Sequence, residues 1–417
     1  MIFGGYSSLA RKGTFAILDQ GLFSGTNFIV YILLARWLDR SQYGAFAVAF
    51  SVFLFFGALY TAIIIEPMLV FGPGKYKAHQ GRYTALLTYI HVYATLPLAF
   101  LLVLVAFLLG HFYTTEVKNA MIGLSISSPM ILFLWLTRRA FYVRFKPAWS
   151  AMGGFLYLLL FIGTVVAIHK LGRLTQATVF VAMGCSSLAV ALILLYFLAP
   201  QWRRIANPTL PEIAREHWRY GRWALGTACL TWIPSNIYYV ILPAIVGLSG
   251  VAVLRALMNL ALPAQHTIAA LSILILPVFS KTVYERGISG MASKAKMFLI
   301  FFLVMSCIYF AALCAFNRGI LVALYANQYI EFAHMVPLIG LLPILASIIV
   351  VLSNMLRAMQ RPDKILWCYA ASSAVALTFG ITLASIIGVR GAVIGLILTS
   401  ITTVCVLFLF FKRFHIK

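Results

Sequence analysis

The chain has 417 residues, of which 63% are hydrophobic and only 10% are charged, and its mean hydropathy is +0.99. Soluble domains carry about 25% charged residues, so this composition excludes a water-soluble protein and predicts one that is integral to a membrane. The net charge of +23 would suit a nucleic-acid-binding protein. The placement of the charges, described below, excludes that function.

Long apolar segments divide the sequence, separated by short polar connections. Each is about 20 residues long or slightly longer, which matches a hydrocarbon core of about 30 Å crossed by an α-helix. We therefore predict an all-α integral membrane protein with about twelve transmembrane helices. These are predicted at 14–35, 45–69, 83–109, 118–137, 149–169, 176–199, 223–247, 254–279, 297–316, 333–356, 365–387 and 391–411.

The basic residues alternate in number from one connection to the next. Of the 32 Lys and Arg residues, 24 fall in the two terminal tails and in every second connection. Positively charged loops stay in the cytoplasm, so this asymmetry predicts both termini on the cytoplasmic side of the cytoplasmic (inner) membrane. The basic residues therefore predict anionic lipid headgroups as partners. They do not predict a nucleic acid. The other eight are Arg36, Arg40, Lys118, Lys170, Arg173, Arg255, Arg318 and Arg390.

The longest connection, at about 200–222, lies at the midpoint and carries five arginines, among them Arg203 and Arg204. It predicts an N-terminal half, 1–205, and a C-terminal half, 206–417, each with six helices in the same orientation, as in a parallel repeat. No connection is long enough for a catalytic domain, and no nucleotide-binding or hydrolase motif occurs. The six cysteines lie within predicted helices without metal-ligand spacing. We expect neither an enzyme nor a bound cofactor or metal.

Two acidic residues fall within predicted helices, where a charge costs about 2.5–3.5 kcal/mol on insertion scales. Asp19 lies about 8 Å along the first helix. Glu66 lies at a similar depth on its antiparallel neighbour. Both are candidates for coupling transport to a proton or sodium gradient. The alternative for Glu66 is a side chain that extends to the cytoplasmic interface beside Pro67.

The first helix has one polar face. At 100° per residue, its polar side chains fall within an arc of roughly 140°, opposite a face of Ile and Leu. This arc either lines an aqueous cavity or holds helices together through hydrogen bonds. Its members are Asp19, Gln20, Ser24, Asn27 and Tyr31.

The eighth predicted helix carries a polar stripe with the spacing i, i+4, i+7 and i+11. Arg255, Asn259, Leu262 and His266 would lie within roughly 40° on one face of a continuous helix. A fixed cation, an amide and an imidazole in one row can bind an anion such as phosphate. Alternatively, Arg255 extends to the interface and His266 packs without a functional role.

The seventh predicted helix repeats this spacing with Thr227, Thr231, Pro234 and Tyr238. Such a stripe is polar enough to line water, which makes Thr231 and Tyr238 candidate cavity residues. Hydroxyl groups in helices are, however, often satisfied by their own backbone. Prolines within several helices free carbonyl groups and allow kinks.

Three segments at junctions between predicted helices have a familiar pattern. The first is Leu34-Ala35-Arg36-Trp37-Leu38, followed by Tyr43-Gly44-Ala45-Phe46-Ala47, and the second is Gly388-Val389-Arg390-Gly391-Ala392-Val393-Ile394-Gly395. The third is Leu324-Tyr325-Ala326-Asn327-Gln328-Tyr329. They resemble, in this order, the helix 1–2 junction, the helix 11–12 turn and the helix 9–10 loop of the polysaccharide (O-antigen type) flippases, with Ala326 where a glycine is usual. These flippases belong to the multidrug/oligosaccharidyl-lipid/polysaccharide (MOP) exporter superfamily.

The resemblance implies two six-helix lobes around a central cavity that opens alternately to either side. It implies a lipid-linked oligosaccharide as substrate and a polysaccharide assembly complex as a candidate partner. By position, the cavity cations of the family correspond to Arg255 and Arg36. Three alternatives stay open: a multidrug or other small-molecule exporter of the same superfamily, a membrane glycan ligase or polymerase, and a scaffold without transport activity.

Overall fold

The computed structural model describes residues 2–202 and 208–415. The predicted boundary between residues 205 and 206, together with Arg203, Arg204 and Lys417, lies outside the described residues. The described chain forms α-helices throughout, joined by short turns. They are α1 (Ile2–Trp37), α2 (Arg40–Tyr60), α3 (Glu66–Phe71), α4 (Gln80–Phe112), α5 (Thr115–Val143), α6 (Pro147–Lys170), α7 (Gln176–Leu198), α8 (Leu210–Asn259), α9 (Leu262–Ala315), α10 (Asn317–Tyr325), α11 (Val336–Ala358), α12 (Pro362–Val375) and α13 (Ile381–His415).

Ten continuous helical segments of the described chain are long and apolar enough to cross a membrane. Three of the longest contain a break at a glycine with positive φ: Gly247 at 71°, Gly287 at 67° and Gly388 at 59°. Side chains with a Cβ rarely adopt this conformation, so glycine ends one helix and lets the next begin at a new angle. Each break coincides with a predicted junction between two helices, which confirms the predicted all-helical membrane architecture.

The predicted single helix at 254–279 is wrong near its start. Helix α8 ends at Asn259, residues 260–261 form a turn, and α9 begins at Leu262. The cause is Pro263, whose ring cannot follow the carbonyl group of Asn259 in a regular helix. The amides of Leu260 and Ala261 instead donate to carbonyl groups three residues earlier, at 3.0 Å each. Arg255 and Asn259 therefore lie on a different helix from His266.

A second proline shapes the C-terminal part of the second span. Residues Thr61–Ile65 form a π-helical turn between α2 and α3, just before Pro67. Proline has no amide hydrogen, so the carbonyl group of Ile63 lacks its usual intrahelical donor. Nδ1 of His217 lies 3.2 Å from this oxygen and supplies the missing hydrogen bond. This hydrogen bond thus attaches the π turn after α2 to the first part of α8.

The chain forms two compact units by its internal contacts. Unit 1 comprises the described residues of Met1–Val30 and Ala45–Cys229, and unit 2 comprises those of Tyr31–Gly44 and Leu230–Lys417. Each unit contains helices that are close-packed around buried apolar residues. The division differs from a simple cut of the chain because the α1–α2 junction, residues 31–44, packs with unit 2.

Candidate functional site

Arg255 lies at the centre of an aromatic cluster in unit 2. Its guanidinium carbon is 4.3 Å from the ring centroid of Tyr31 and 5.7 Å from that of Tyr239. Tyr31, Tyr43 and Tyr239 are all buried. Stacking on ring faces stabilises a cation where hydration is lost. The geometry holds a planar positive charge in a fixed orientation within the membrane.

Asn259 extends this cluster one helical turn further along α8. Its Nδ2 donates to the hydroxyl of Tyr43 at 2.9 Å, and the residue is fully buried. The Oδ1 atom of Asn259 has no hydrogen-bond partner among the described residues. Tyr325 closes the same region, since its hydroxyl donates to the carbonyl of Ala256 at 2.9 Å. The structure thus brings Arg255 and Asn259 together with aromatic residues that the stripe did not include.

The turn at residues 260–261 places His266 on α9, whereas Arg255 and Asn259 lie on α8. His266 is partly buried on α9, and no hydrogen bond of its side chain is found among the described residues. Arg36 has an exposed side chain. Its backbone carbonyl accepts a hydrogen bond from Nε2 of Gln328 at 3.0 Å. Arg36 therefore lies in the α1–α2 junction.

An exposed ion pair fastens the α1–α2 junction to the rest of unit 2. Arg40 donates to Glu331 at 2.7 Å and also to the carbonyl of Gln328. Its guanidinium lies 5.3 Å from the ring centroid of Tyr329 and 5.8 Å from that of Phe332. Several charge and stacking contacts on one arginine give a more specific attachment than a single surface salt bridge.

Tyr238 is a packing residue in this structure. The residue is buried, and its hydroxyl has no hydrogen-bond partner among the described residues. The ring approaches the backbone of Gly380 and Gly395 so closely that a Cβ at either glycine would overlap its hydroxyl. Thr231, about two helical turns earlier on α8, is partly buried. Neither is part of the Arg255 cluster.

Asp19 forms a buried ion pair in unit 1. Its Oδ1 accepts a hydrogen bond of 2.6 Å from Nη2 of Arg138, and its Oδ2 accepts one of 2.7 Å from the hydroxyl of Tyr142. Phe23 stacks on the same guanidinium at 4.1 Å. Asn27, on the same helix, is partly buried. The polar face of α1 thus meets α5, and its opposite face, including Leu18, is exposed.

Glu66 does not join Asp19. Its side chain is exposed and takes part in no ion pair among the described residues. It begins α3 directly after the π turn and before Pro67. Both roles predicted for Glu66, ion coupling and a side chain that extends to the interface, stay predictions.

Unit 1 also holds a cluster of charged residues at the start of α8. Lys75 donates to Glu216, and the hydroxyl of Tyr76 donates to the same carboxylate at 2.6 Å. The hydrogen bond from Lys75 to Glu216 raises the pKa of this lysine. The hydroxyl of Tyr83 lies 2.8 Å from Nε2 of His217. These contacts attach residues 210–222 of α8 to unit 1.

Each unit contains a cavity of its own. One cavity in unit 1, about 190 Å³, is lined by residues of α1, α5 and the π turn, including Arg138 and Arg139. The cavity in unit 2, about 240 Å³, is lined by uncharged residues of α8, α9, α11, α12 and α13. The residues of the second cavity that carry hydroxyl or amide groups are Ser235, Gln265, Tyr369, Ser372, Thr399, Ser400 and Thr403.

Sequence reasoning missed Arg138 and the hydroxyl groups of α13. Arg138 is counted among the cytoplasmic charges because the predicted helix ends at 137, whereas α5 continues to Val143. A signal for the second set is present in the sequence. Thr399, Ser400 and Thr403 have the i, i+1, i+4 spacing of a single helix face.

Comparison with known proteins identifies the fold. No family model and no curated protein matches the sequence. Among solved structures, an inward-facing multidrug resistance transporter of the MATE family and MOP superfamily aligns with a TM-score of 0.79 and 14% identity, over 95% of this chain and 97% of the other. The eukaryotic MATE transporter AtDTX14 aligns with a TM-score of 0.69 and 17% identity, over 97% and 95%.

A MOP superfamily transporter from Pyrococcus furiosus is described as having a binding pocket of reverse polarity. It aligns with a TM-score of 0.69 and 13% identity, over 97% of this chain and 95% of the other. The chain therefore has the fold of the MATE transporters of the MOP superfamily, as the resemblance of its motifs implies. The narrower resemblance to polysaccharide flippases stays a prediction.

Proposed function

We propose that this chain is a secondary transporter that exports its substrate across the membrane by alternating access. The observation that carries the proposal is a likeness of fold to an inward-facing transporter that spans nearly the whole of both chains. The π turn before Pro67 and the turn before Pro263 support it, because helices that are interrupted at fixed points can change packing without unfolding.

Small-molecule export is the substrate class that the comparisons favour over flipping of a lipid-linked oligosaccharide. The similar structures are described mainly as multidrug transporters, one of them inward-facing and one outward-facing. That description applies to those proteins. It makes export of an amphipathic small molecule the first activity to test for this chain.

A lipid-linked oligosaccharide is the second candidate, and the charge pattern supports it. A site for cationic drugs needs carboxylates, yet the buried carboxylate of the described chain, Asp19, is already paired with Arg138. Arg255 instead offers a fixed cation suited to a phosphate-linked substrate. The transporter from Pyrococcus furiosus illustrates that pocket polarity varies within this fold.

The proposal includes the membrane and the driving force. The excess of basic residues in alternate connections supports a cytoplasmic membrane location with both termini in the cytoplasm. A proton or sodium gradient is the proposed energy source, because no nucleotide-binding motif occurs in the sequence. A polysaccharide assembly complex is a candidate partner only for the oligosaccharide substrate.

Reconstitution into lipid vesicles tests the proposal directly. Purified protein is placed in vesicles with an imposed proton or sodium gradient, and two assays run in parallel. The first measures accumulation of fluorescent cationic drugs, and the second measures flipping of a fluorescent polyprenyl-linked sugar by its accessibility to a membrane-impermeant quencher. Activity in either assay that collapses with the gradient supports a secondary transporter and identifies its substrate class. Vesicles that show no transport in either assay, with correctly folded protein, would contradict it.

A further inference from the structure

The cavity of unit 2 has a lining whose chemistry suits one class of ligand. Its volume of about 240 Å³ lies just below the range of about 300–1,000 Å³ that is typical of pockets for drug-sized molecules. We propose that this cavity binds a neutral polyhydroxyl group with the size of one sugar ring. The inference rests on the proposed transport function and specifies the part of the substrate that unit 2 recognises.

The cavity wall is polar without being charged. Thr399, Ser400 and Thr403 lie on one face of α13, and Ser372 and Tyr369 lie on α12. Two of the hydroxyl-bearing residues on α13, Thr399 and Thr403, are buried from solvent. The wall therefore presents hydroxyl oxygens to the cavity without a charged side chain.

The directions of the existing hydrogen bonds define what this partner must offer. The hydroxyls of Thr399 and Ser400 both donate to the carbonyl of Leu396, at 2.8 and 2.9 Å. The hydroxyl of Thr403 donates to the carbonyl of Thr399 at 2.9 Å, and that of Ser372 to the carbonyl of Tyr369 at 3.1 Å. Because these hydrogens are already used, the oxygen atoms are left as acceptors. The wall thus favours a ligand with several hydrogen-bond donors.

Two further side chains provide the complementary groups. Gln265 and Tyr369 line the same cavity, and neither side chain makes a hydrogen bond among the described residues. An amide both donates and accepts, and so does a phenol. The oxygen atoms of a sugar ring need donors, while its hydroxyl hydrogens need acceptors. Gln265 and Tyr369 supply the donors, and the hydroxyl oxygens on α13 supply the acceptors.

Charged ligands fit this cavity poorly. The acidic residues of unit 2 are Asp39, Glu285, Glu331 and Asp363, and none of them lines it. No Lys or Arg of the described chain lines it either. A desolvated ammonium or carboxylate group would therefore lack a counter-ion here. A purely apolar ligand would leave the acceptor oxygens unpaired, which is also unfavourable.

The remaining lining agrees with a sugar. Met258, Leu342, Ile349 and Leu396 contribute apolar surface, and the phenol ring of Tyr369 lies among them. A pyranose has one face of C–H groups that packs on apolar or aromatic side chains and an edge of hydroxyl groups. The cavity offers both kinds of surface within a volume suited to one ring.

Ligand-observed NMR on the full-length protein in lipid nanodiscs, prepared without sugar-based detergents, tests this proposal. Neutral methyl glycosides and N-acetylhexosamines are compared with glucuronate, glucosamine and cyclohexylmethanol. We expect saturable binding of at least one neutral glycoside in preference to the charged and apolar compounds. Gln265→Leu and Thr403→Val should each weaken it by about tenfold, the equivalent of one lost hydrogen bond.

The matched control is Thr402→Val. Thr402 is adjacent on α13 and donates to the carbonyl of Leu398 at 2.8 Å, yet it does not line the cavity. The Thr402→Val variant should bind the glycoside with the same affinity as the unmodified protein. Equal binding of charged compounds, equal loss in the control, or absence of glycoside binding would overturn the proposal.

Vesicle transport separates this result from the proposed function. Transport without glycoside binding would refute the sugar site and leave the transporter intact. Glycoside binding without gradient-driven transport would refute the transporter and leave the site.

Discussion

Nη2 of Arg138 donates a hydrogen bond of 2.6 Å to Oδ1 of Asp19, although the two residues are 119 positions apart in the chain. Both side chains are at least nine-tenths buried. Tyr142 donates to the second carboxylate oxygen, so the charge of Asp19 is matched on both sides. An ion pair in this environment joins α1 to α5 and depends on both partners being present.

Replacing Arg138 by alanine should therefore strongly destabilise the protein. The variant leaves the carboxylate of Asp19 buried without its cation, which costs about 3–5 kcal/mol. Thermal unfolding in detergent is the measurement. The neutral double variant Asp19→Asn/Arg138→Gln should recover most of the loss, and Arg139→Ala serves as the control, since the neighbouring arginine forms no ion pair among the described residues. A single variant as stable as the unmodified protein would contradict the assignment.

The same pair sharpens the proposal that Asp19 couples transport to an ion gradient. A carboxylate that binds a proton or sodium during the cycle must exchange Arg138 for that ion in some step. If Asp19 has this role, Asp19→Asn abolishes the dependence of transport on the gradient while substrate binding persists. If the pair is purely structural, the gradient dependence is kept and only stability falls.

Periodicity in the sequence predicts one side of this arrangement and not the other. The polar arc of α1 is predicted correctly, because Asp19 and Ser24 are buried while Ile17 and Leu18 are exposed. Arg138 is not predicted as the partner, since contacts between distant helices leave no local pattern and the last turn of α5 carries no stop signal. The stripe on the eighth predicted helix fails for another reason: Pro263 interrupts the helix on which its spacing depends.

Transport activity should depend on the shape of the Arg255 side chain as well as on its charge. Its flat guanidinium stacks on Tyr31, whereas the ammonium of a lysine is compact and more strongly hydrated. We expect Arg255→Lys to lose most of the transport activity and Arg255→Ala to lose at least as much. Vesicle transport is the measurement, normalised to folded protein. Arg390→Lys, at an exposed position, is the control and should keep full activity. Full activity of Arg255→Lys would show that a positive charge alone is sufficient.

The hydroxyl of Tyr238 should be dispensable. It is buried without a hydrogen-bond partner among the described residues, so Tyr238→Phe removes an unpaired polar group and should keep or raise stability. Gly395→Ala should cost about 1–3 kcal/mol, because its new Cβ would overlap this hydroxyl. The double variant should lose less stability than Gly395→Ala alone. Gly163→Ala, where a Cβ meets no atom within 4 Å, is the control. Loss of transport in a stable Tyr238→Phe variant would instead support the predicted role of Tyr238 in a cavity.

The contribution of His217 to stability should decrease when Pro67 is replaced. In the native protein, Nδ1 of His217 donates to the carbonyl of Ile63, which Pro67 leaves without an intrahelical donor, and Nε2 then accepts from the hydroxyl of Tyr83. His217→Phe should therefore cost about 1–3 kcal/mol in thermal unfolding, since a buried carbonyl is left unpaired. In a Pro67→Ala background, the new amide can satisfy Ile63, so the same substitution should cost measurably less. A double-mutant cycle isolates this coupling. Identical costs in the two backgrounds would mean that His217 acts through its packing and through Tyr83 alone.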